Sequence, residues 1–367
     1  MKPTTGNKSA AESLVTDLPS SADYLQYVQD HRVGGNAKPT GDAPGLFLAA
    51  DPQMLRIQEI VEQIRDTSVP VLITGESGTG KEVIARAIHA DSSRANEPFV
   101  AVNCAALPSA LLESELFGHE KGAFTGAVQR HVGKFEQATN GTLLLDEVTE
   151  MDPALQAKLL RALQEKEIER VGGTGPIQIK TRIVATTNRD IVQAVQQGLF
   201  RQDLYYRLHV IQLEVPPLRN RVGDIELLAW HFLQLYCDQF GKQTMELTVD
   251  ARTRLKSHSW PGNVRELQNV IQRAVLLTSG QAVTAADLPI EHDPQETPSD
   301  WVNHLPVGRP LRDLETHFIL ETLKAHQGNR THAARTLGIS LRTLRNKINE
   351  FTAEGLEVMA PTSGRAS

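Results

Sequence analysis

The sequence predicts an α/β protein with a parallel sheet and a small helical lid, followed by an all-α helix-turn-helix module. Short apolar, largely β-branched runs at 69–74, 99–102, 142–145 and 182–186 alternate with helical patterns such as 153–165, as strands buried on both faces do. The first run leads into Gly75-Glu76-Ser77-Gly78-Thr79-Gly80-Lys81-Glu82 and then a helical stretch over 82–90, the context a phosphate-binding loop requires. Near the C-terminus, residues 329–350 place a glycine between two short helical patterns and carry five Lys or Arg against one acid.

At 367 residues and 40% apolar composition, the chain can hold two or more domains around a sizeable core. Cys104 and Cys237 are far apart and lack metal spacing, which argues against a disulfide framework or a zinc site. No apolar run approaches a membrane span, and the N-terminal stretch has no apolar core like that of a signal peptide. A reducing, cytoplasmic protein without a membrane partner is expected. Since the net charge is −6, DNA binding would need a local basic patch such as 329–350.

Residues 1–45 are polar and punctuated by Gly, Pro and Ser, and read as a flexible arm with one short helix around Tyr24 to Val28. A dense α/β region follows over 46–290, with the core to about 217 and the lid over about 218–290. Residues 291–308, containing Pro294, Pro298 and Pro306, read as a linker, 309–355 as the DNA-binding module and 356–367 as a disordered tail.

Phosphate chemistry explains the residue types at 75–82. Glycines let backbone N–H groups converge on phosphate oxygens, and the following helix N-terminus adds positive potential. Lys81 would reach the β- and γ-phosphates of ATP. Glu82 stands where most such loops place Ser or Thr on Mg²⁺. Asp146 and Glu147 end an apolar strand expected beside the one feeding the loop. The aspartate suits Mg²⁺ and the glutamate suits the attacking water, although solvated carboxylates would look similar. Arg201 and Arg207, within 200–208, could offset transition-state charge or form intrachain salt bridges.

Between these elements lies Gly122-Ala123-Phe124-Thr125-Gly126-Ala127, a glycine-hinged segment with an apolar tip. Together with Glu115-Leu116-Phe117-Gly118-His119 before it, this segment resembles the signature loop of bacterial enhancer-binding proteins. These are the AAA+ ATPases that activate sigma-54 RNA polymerase. The resemblance spans about Leu46 to Ile290 and includes Glu82, which shifts metal contact toward Asp146 and water. It implies that Asn188 reads the γ-phosphate and that Asn103 is a switch holding the catalytic glutamate. It also implies that Arg201 and Arg207 reach a neighbouring subunit's site. Arg265, in the stretch from Trp260 to Leu267, resembles a second sensor contacting phosphate within its own subunit. A shared site implies a ring, expected to be a hexamer. Phe124 and Thr125 would meet sigma-54, with a companion loop over 172–178 moving alongside.

In the basic module, Ala333 and Ala334 lie in a first helix, Leu337-Gly338-Ile339 turns, and 341–348 forms a second helix. Leu337, Ile339, Leu344 and Ile348 suit helix-turn-helix packing, and Ser340 suits an N-cap. Arg342, Arg345 and Lys347 would project toward enhancer DNA, with Arg330, Thr343 and Asn346 as further contacts; a solvated basic helix is the alternative. An apolar-periodic helix over 311–325 could mediate dimerisation. The module resembles the Fis-type domain, and its wording resembles flagellar activators of the alphaproteobacterial type. That implies control of flagellar hook and basal-body genes. The arm is too short for the receiver domain many members carry, so control is expected from a separate regulatory protein, from expression level, or not at all. Two other functions compete. A AAA+ remodeller of another type should lack 122–127 and the basic module. A DNA-binding repressor with a vestigial ATPase sits poorly with intact Lys81, Glu147, Arg201 and Arg207.

Overall fold

The computed structural model describes residues 47–290, 315–316, 318–320, 322–323, 326 and 329–353. The expected arm and its short helix, the linker and the tail lie outside these residues, as does part of 311–325. The chain divides into two units, Met1–Asp293 and Pro294–Ser367.

The first unit opens with α1 (Pro52–Ile64), β1 (Val71–Thr74), α2 (Lys81–Ala90), β2 (Phe99–Asn103), α3 (Ser109–Phe117), α4 (Lys134–Gln137) and β3 (Thr142–Asp146). It continues with α5 (Pro153–Glu165), β4 (Glu167–Ile168), β5 (Ile177–Gln178), β6 (Arg182–Thr187), α6 (Ile191–Gln196), α7 (Gln202–Leu208) and β7 (Ile211–Glu214). The central sheet is parallel, in the order β2-β3-β6-β1-β7. Here the structure corrects the expectation that Asp146 ends a strand beside β1. β6 lies between them, pairing Val184 with Val71 on one side and Leu144 on the other. Parallel strands are joined by crossovers, so chain order does not dictate sheet order.

β7 was not among the expected strands. Its Ile-Gln-Leu-Glu alternates apolar and polar, as an edge strand covered on one face does, and so lacks the continuous apolar signal. In the interior, period-two alternation sends Leu72, Leu143, Leu145 and Ile183 into one core with α3, α5 and α7. Val71, Ile73, Leu144 and Val184 enter another core with α1 and α2. Burying each such side chain stabilises the fold by about 1.5–3 kcal/mol. Asp51 caps α1 by accepting from the Gln53 N–H, and Pro52 starts the helix without wasting a donor. At its other end Arg182, fully buried, donates to the carbonyls of Ile64 (2.9 Å) and Arg65 (2.5 Å). Burial lowers the Arg182 pKa to about 10.

The lid comprises α8 (Val222–Gln239), β8 (Glu246–Leu247), α9 (Val249–Ser257), α10 (Asn263–Leu277) and β9 (Ala282–Val283). Trp230, Trp260, Leu267 and Ile271 build its core, and the Trp260 indole N–H donates to the Leu255 carbonyl at 2.9 Å. In the second unit, α11 (Arg330–Thr336) and α12 (Leu341–Ala353) close over Ala333, Ala334, Leu344, Ile348 and Phe351. Among the described residues, no helix is long and apolar enough to cross a membrane.

Candidate nucleotide site, loop pair and DNA-binding helix

The loop after β1 is fastened to the sheet by a Gly75 N–H bond to the Thr187 carbonyl at 3.3 Å. Gly78 has φ +78, and a Cβ there would lie 2.5 Å from the Gly262 carbonyl oxygen. Lys81 Nζ donates to the carbonyls of Gly75 (2.8 Å) and Glu76 (3.0 Å), and Thr79 Oγ1 donates to the Glu76 carbonyl at 2.8 Å. Burial lowers the Lys81 pKa, while Glu147 and Asp146 pull it upward. Gly80 and Lys81 begin α2, so the helix dipole and this ammonium face one phosphate position. The Glu82 carboxylate is instead engaged by Arg86 one turn along α2, at 2.6 Å.

At the end of β3, Asp146 accepts from Thr186 Oγ1 at 2.5 Å and from Asn103 Nδ2 at 3.2 Å. The Asn103 amide therefore bonds Asp146, not Glu147 as expected of a switch residue. The cause is register: β2 and β3 pair Asn103 directly with Asp146, whereas Glu147 lies past the strand end in left-handed backbone, φ 55. The Glu147 carboxylate accepts from the backbone N–H of Asn188 at 3.0 Å. Asn188 thus meets the glutamate through its main chain.

Arg201 pairs with Asp203 at 2.6 Å, and Arg207 donates to the Leu163 carbonyl at 2.9 Å. Arg201 thus forms the intrachain salt bridge that the alternative describes, whereas Arg207 meets a backbone carbonyl and, among the described residues, no acid. The Arg201–Asp203 pair is exposed and so binds weakly in water. Arg265 reaches the phosphate-binding loop of its own chain, donating to Ser77 Oγ at 3.1 Å. Beside Thr79 and Gly80 opens a cleft walled by Phe47, Met54, Ile84, His231, Phe232 and Val264. Its mostly apolar wall next to a phosphate cradle suits a nucleobase.

Residues 122–127 form a compact turn closed by Gly122 N–H to Ala127 carbonyl at 2.9 Å. Ala127 is buried, Thr125 is exposed and Phe124 is 42% exposed. The Phe124 ring stands edge-on to His119, centroids 5.0 Å apart. The companion loop is the hairpin tip between β4 and β5. A Cβ on Gly172 would lie 2.8 Å from Ala123 Cβ. Arg170, in that hairpin, bonds Glu120 (2.7 Å) and Glu136 (2.5 and 2.8 Å). The two loops are therefore tied by packing and by charge.

In the second unit, Ser340 Oγ accepts the Thr343 N–H at 3.0 Å, the N-cap its type foretells. Arg342, Thr343, Arg345 and Asn346 are exposed along α12, while Leu344 and Ile348 are buried. Lys347 differs from expectation: its ammonium bonds Glu315 at 2.7 Å. It lies one turn beyond buried Leu344, at the flank of the packed face, where an acid of the preceding segment can reach it. Arg330 starts α11 and is half-buried. Ile319 and Leu323, in the segment expected to mediate dimerisation, are buried in this unit's own core.

Domain comparisons match the sigma-54 interaction domain to residues 47–214, the AAA+ ATPase lid domain to 219–302 and the Fis-family bacterial regulatory domain to 310–351. The transcriptional regulatory protein FlbD of Caulobacter vibrioides is 49% identical over 332 residues, covering 87% of this chain and 73% of that protein. The chain belongs to the sigma-54-dependent transcriptional activators. This activator is also 49% identical to the regulatory protein AtoC of Escherichia coli over 319 residues, covering 86% of the chain and 69% of that protein. The crystal structure of NtrX from Brucella abortus in complex with ATP is similar at TM-score 0.62 and 33% identity, covering 90% of this chain and 72% of that one. The activator is an AAA+ ATPase that binds nucleotide, and its partners are sigma-54 RNA polymerase and DNA.

Several residues of the site escaped the sequence. Thr186, on Asp146, is an ordinary strand threonine until β6 is placed beside β3. Arg219, on Glu76, and Asn263, on Ser77, become visible only once the lid folds back on the loop.

Proposed function

We propose that the activator holds enhancer DNA through α12 and spends ATP hydrolysis on converting sigma-54 polymerase from the closed to the open promoter complex. The observation that carries this is the tied loop pair. Phe124 and Thr125 stand exposed at the tip, while Gly172 of the hairpin between α5 and β6 packs on Ala123 and Arg170 of the same hairpin holds Glu120, just before the segment.

The chemistry follows from the residues. Loop N–H groups and Lys81 offset phosphate charge. Glu147, held by the Asn188 N–H, is placed to take a proton from the attacking water. With ATP bound, Mg²⁺ would supply positive charge to offset that of the phosphates. Hard oxygen donors suit it, and Asp146, oriented by Thr186 and Asn103, is the carboxylate that fits. Arg201 and Arg207 supply the remaining cation to a neighbouring subunit's site, which makes the active form a ring, a hexamer, beside self-association into dimers. Free, buried Cys104 and Cys237 suit a reducing cytoplasm. The wording of the C-terminal module makes flagellar genes the proposed target.

Permanganate footprinting of a sigma-54 promoter tests the proposal. Wild type should open it with ATP and not with a non-hydrolysable analogue. Glu147→Gln should bind ATP yet open nothing, with hydrolysis down by roughly 10²–10⁴-fold. Regulation that survives this substitution would favour the repressor alternative.

A further inference from the structure

The first turn of α10 does more than carry Arg265. Asn263 is fully buried and adopts φ +52, a left-handed conformation that asparagine tolerates better than most residues. Both ends of its side-chain amide are engaged. Oδ1 accepts the Leu218 N–H at 2.8 Å, and Nδ2 donates to the Ser77 carbonyl (3.0 Å) and to the Glu76 carboxylate (3.1 Å). The same carboxylate receives both Nη groups of Arg219, at 3.0 and 2.5 Å. These hydrogen bonds and the Arg219 ion pair hold the Glu76 pKa below its ordinary value. Two residues beyond Glu76, the Gly78 carbonyl accepts the N–H groups of Val264 (2.9 Å) and Arg265 (3.3 Å). Consecutive residues of the phosphate loop are thus fastened to the lid, while Gly75 before them is fastened to β6.

We propose that Asn263, Glu76 and Arg219 form a lid clamp, and that Asn263 and Arg219 are positioning residues for nucleotide binding and hydrolysis. The clamp joins the lid to the phosphate loop at 76–78, so the lid cannot swing without moving the phosphate-binding backbone. It also fixes where Arg265 leaves α10, with its guanidinium beside the loop. Asn263 suits the joint because it accepts from the segment entering the lid and donates to the loop through one short, rigid amide. Aspartate has the same shape, but it would lose the donor and set a second carboxylate against Glu76.

The inference rests on the nucleotide site and not on polymerase engagement, and its test reads nucleotide alone. ATP affinity by calorimetry, KM and kcat for ATP, and the thermal midpoint are measured for Glu76→Gln, Arg219→Ala and Asn263→Asp in the full chain. Glu76 and Arg219 are partly exposed, so their variants should fold even if the buried one does not. The clamp predicts ATP affinity weakened by about tenfold in each, with KM raised and the midpoint nearly unchanged for the exposed pair. Arg219→Lys, which keeps the charge but loses the fork, should recover part of the affinity. Combining Glu76→Gln with Arg219→Ala should add little to either alone, since both open one joint. Unchanged affinity and KM in Glu76→Gln and Arg219→Ala would overturn the proposal, as would fully additive losses.

Discussion

Single residues in this protein take their chemistry from what covers them. His231 is a case where the sign can be worked out. It lines the candidate base cleft, and burial lowers its pKa from 6.5 to about 4. The folded state therefore resists a proton that the unfolded chain accepts. Its contribution to stability is complete above about 6.5 and is lost as pH falls toward about 4. Thermal midpoints taken between pH 7 and pH 5 should fall for wild type and fall less for His231→Gln; parallel curves would contradict the assignment. At this scale the sequence was informative where a residue type has few uses, as with the Ser340 N-cap. It was silent where the type is common and the partner remote: Asn263 meets the loop across 186 positions of chain. Asn103 shows the same limit, since its partner depends on a strand register that no local pattern reports.

At the level of elements, the helices and buried strands were legible because their apolar periodicity is strong, and α5 has the limits its pattern predicts. β7, with alternating polarity, and the position of β6 in the sheet were not legible, since both depend on which strands become neighbours. The helix proposed to read DNA has a clear energetic start in Ser340. Ser340→Ala should destabilise α12 by about 1 kcal/mol, read as earlier thermal loss of the C-terminal unit's helical signal. Arg345→Ala should instead leave that unit folded and weaken DNA binding at all sequences. Its slope of log affinity against log salt should drop by about 1 if the contact is to phosphate. If the slope holds and only the preferred site weakens, Arg345 reads a base edge instead.

For the whole molecule, the account depends on sites completed by neighbours. Within one chain Arg201 and Arg207 are occupied by Asp203 and the Leu163 carbonyl, so in the proposed ring those contacts would be exchanged for phosphate. Mixing gives a direct test. Arg201→Ala and Glu147→Gln should each be nearly inactive alone, the former by roughly 10³-fold or more. Mixed rings should regain hydrolysis, because a Glu147→Gln subunit can lend its arginine to a neighbour with an intact glutamate. No recovery on mixing would place the arginine in its own subunit's site.

The central claim is that residues 122–127 couple hydrolysis to the polymerase, and Thr125→Ala tests it most directly. Thr125 is exposed at the tip and distant in sequence from Lys81 and Glu147, so its loss should spare the ATPase. Open-complex formation and ATP turnover are measured in the same reaction with sigma-54 polymerase. The account predicts that turnover is retained and promoter opening is lost. Opening at the wild-type level would contradict it.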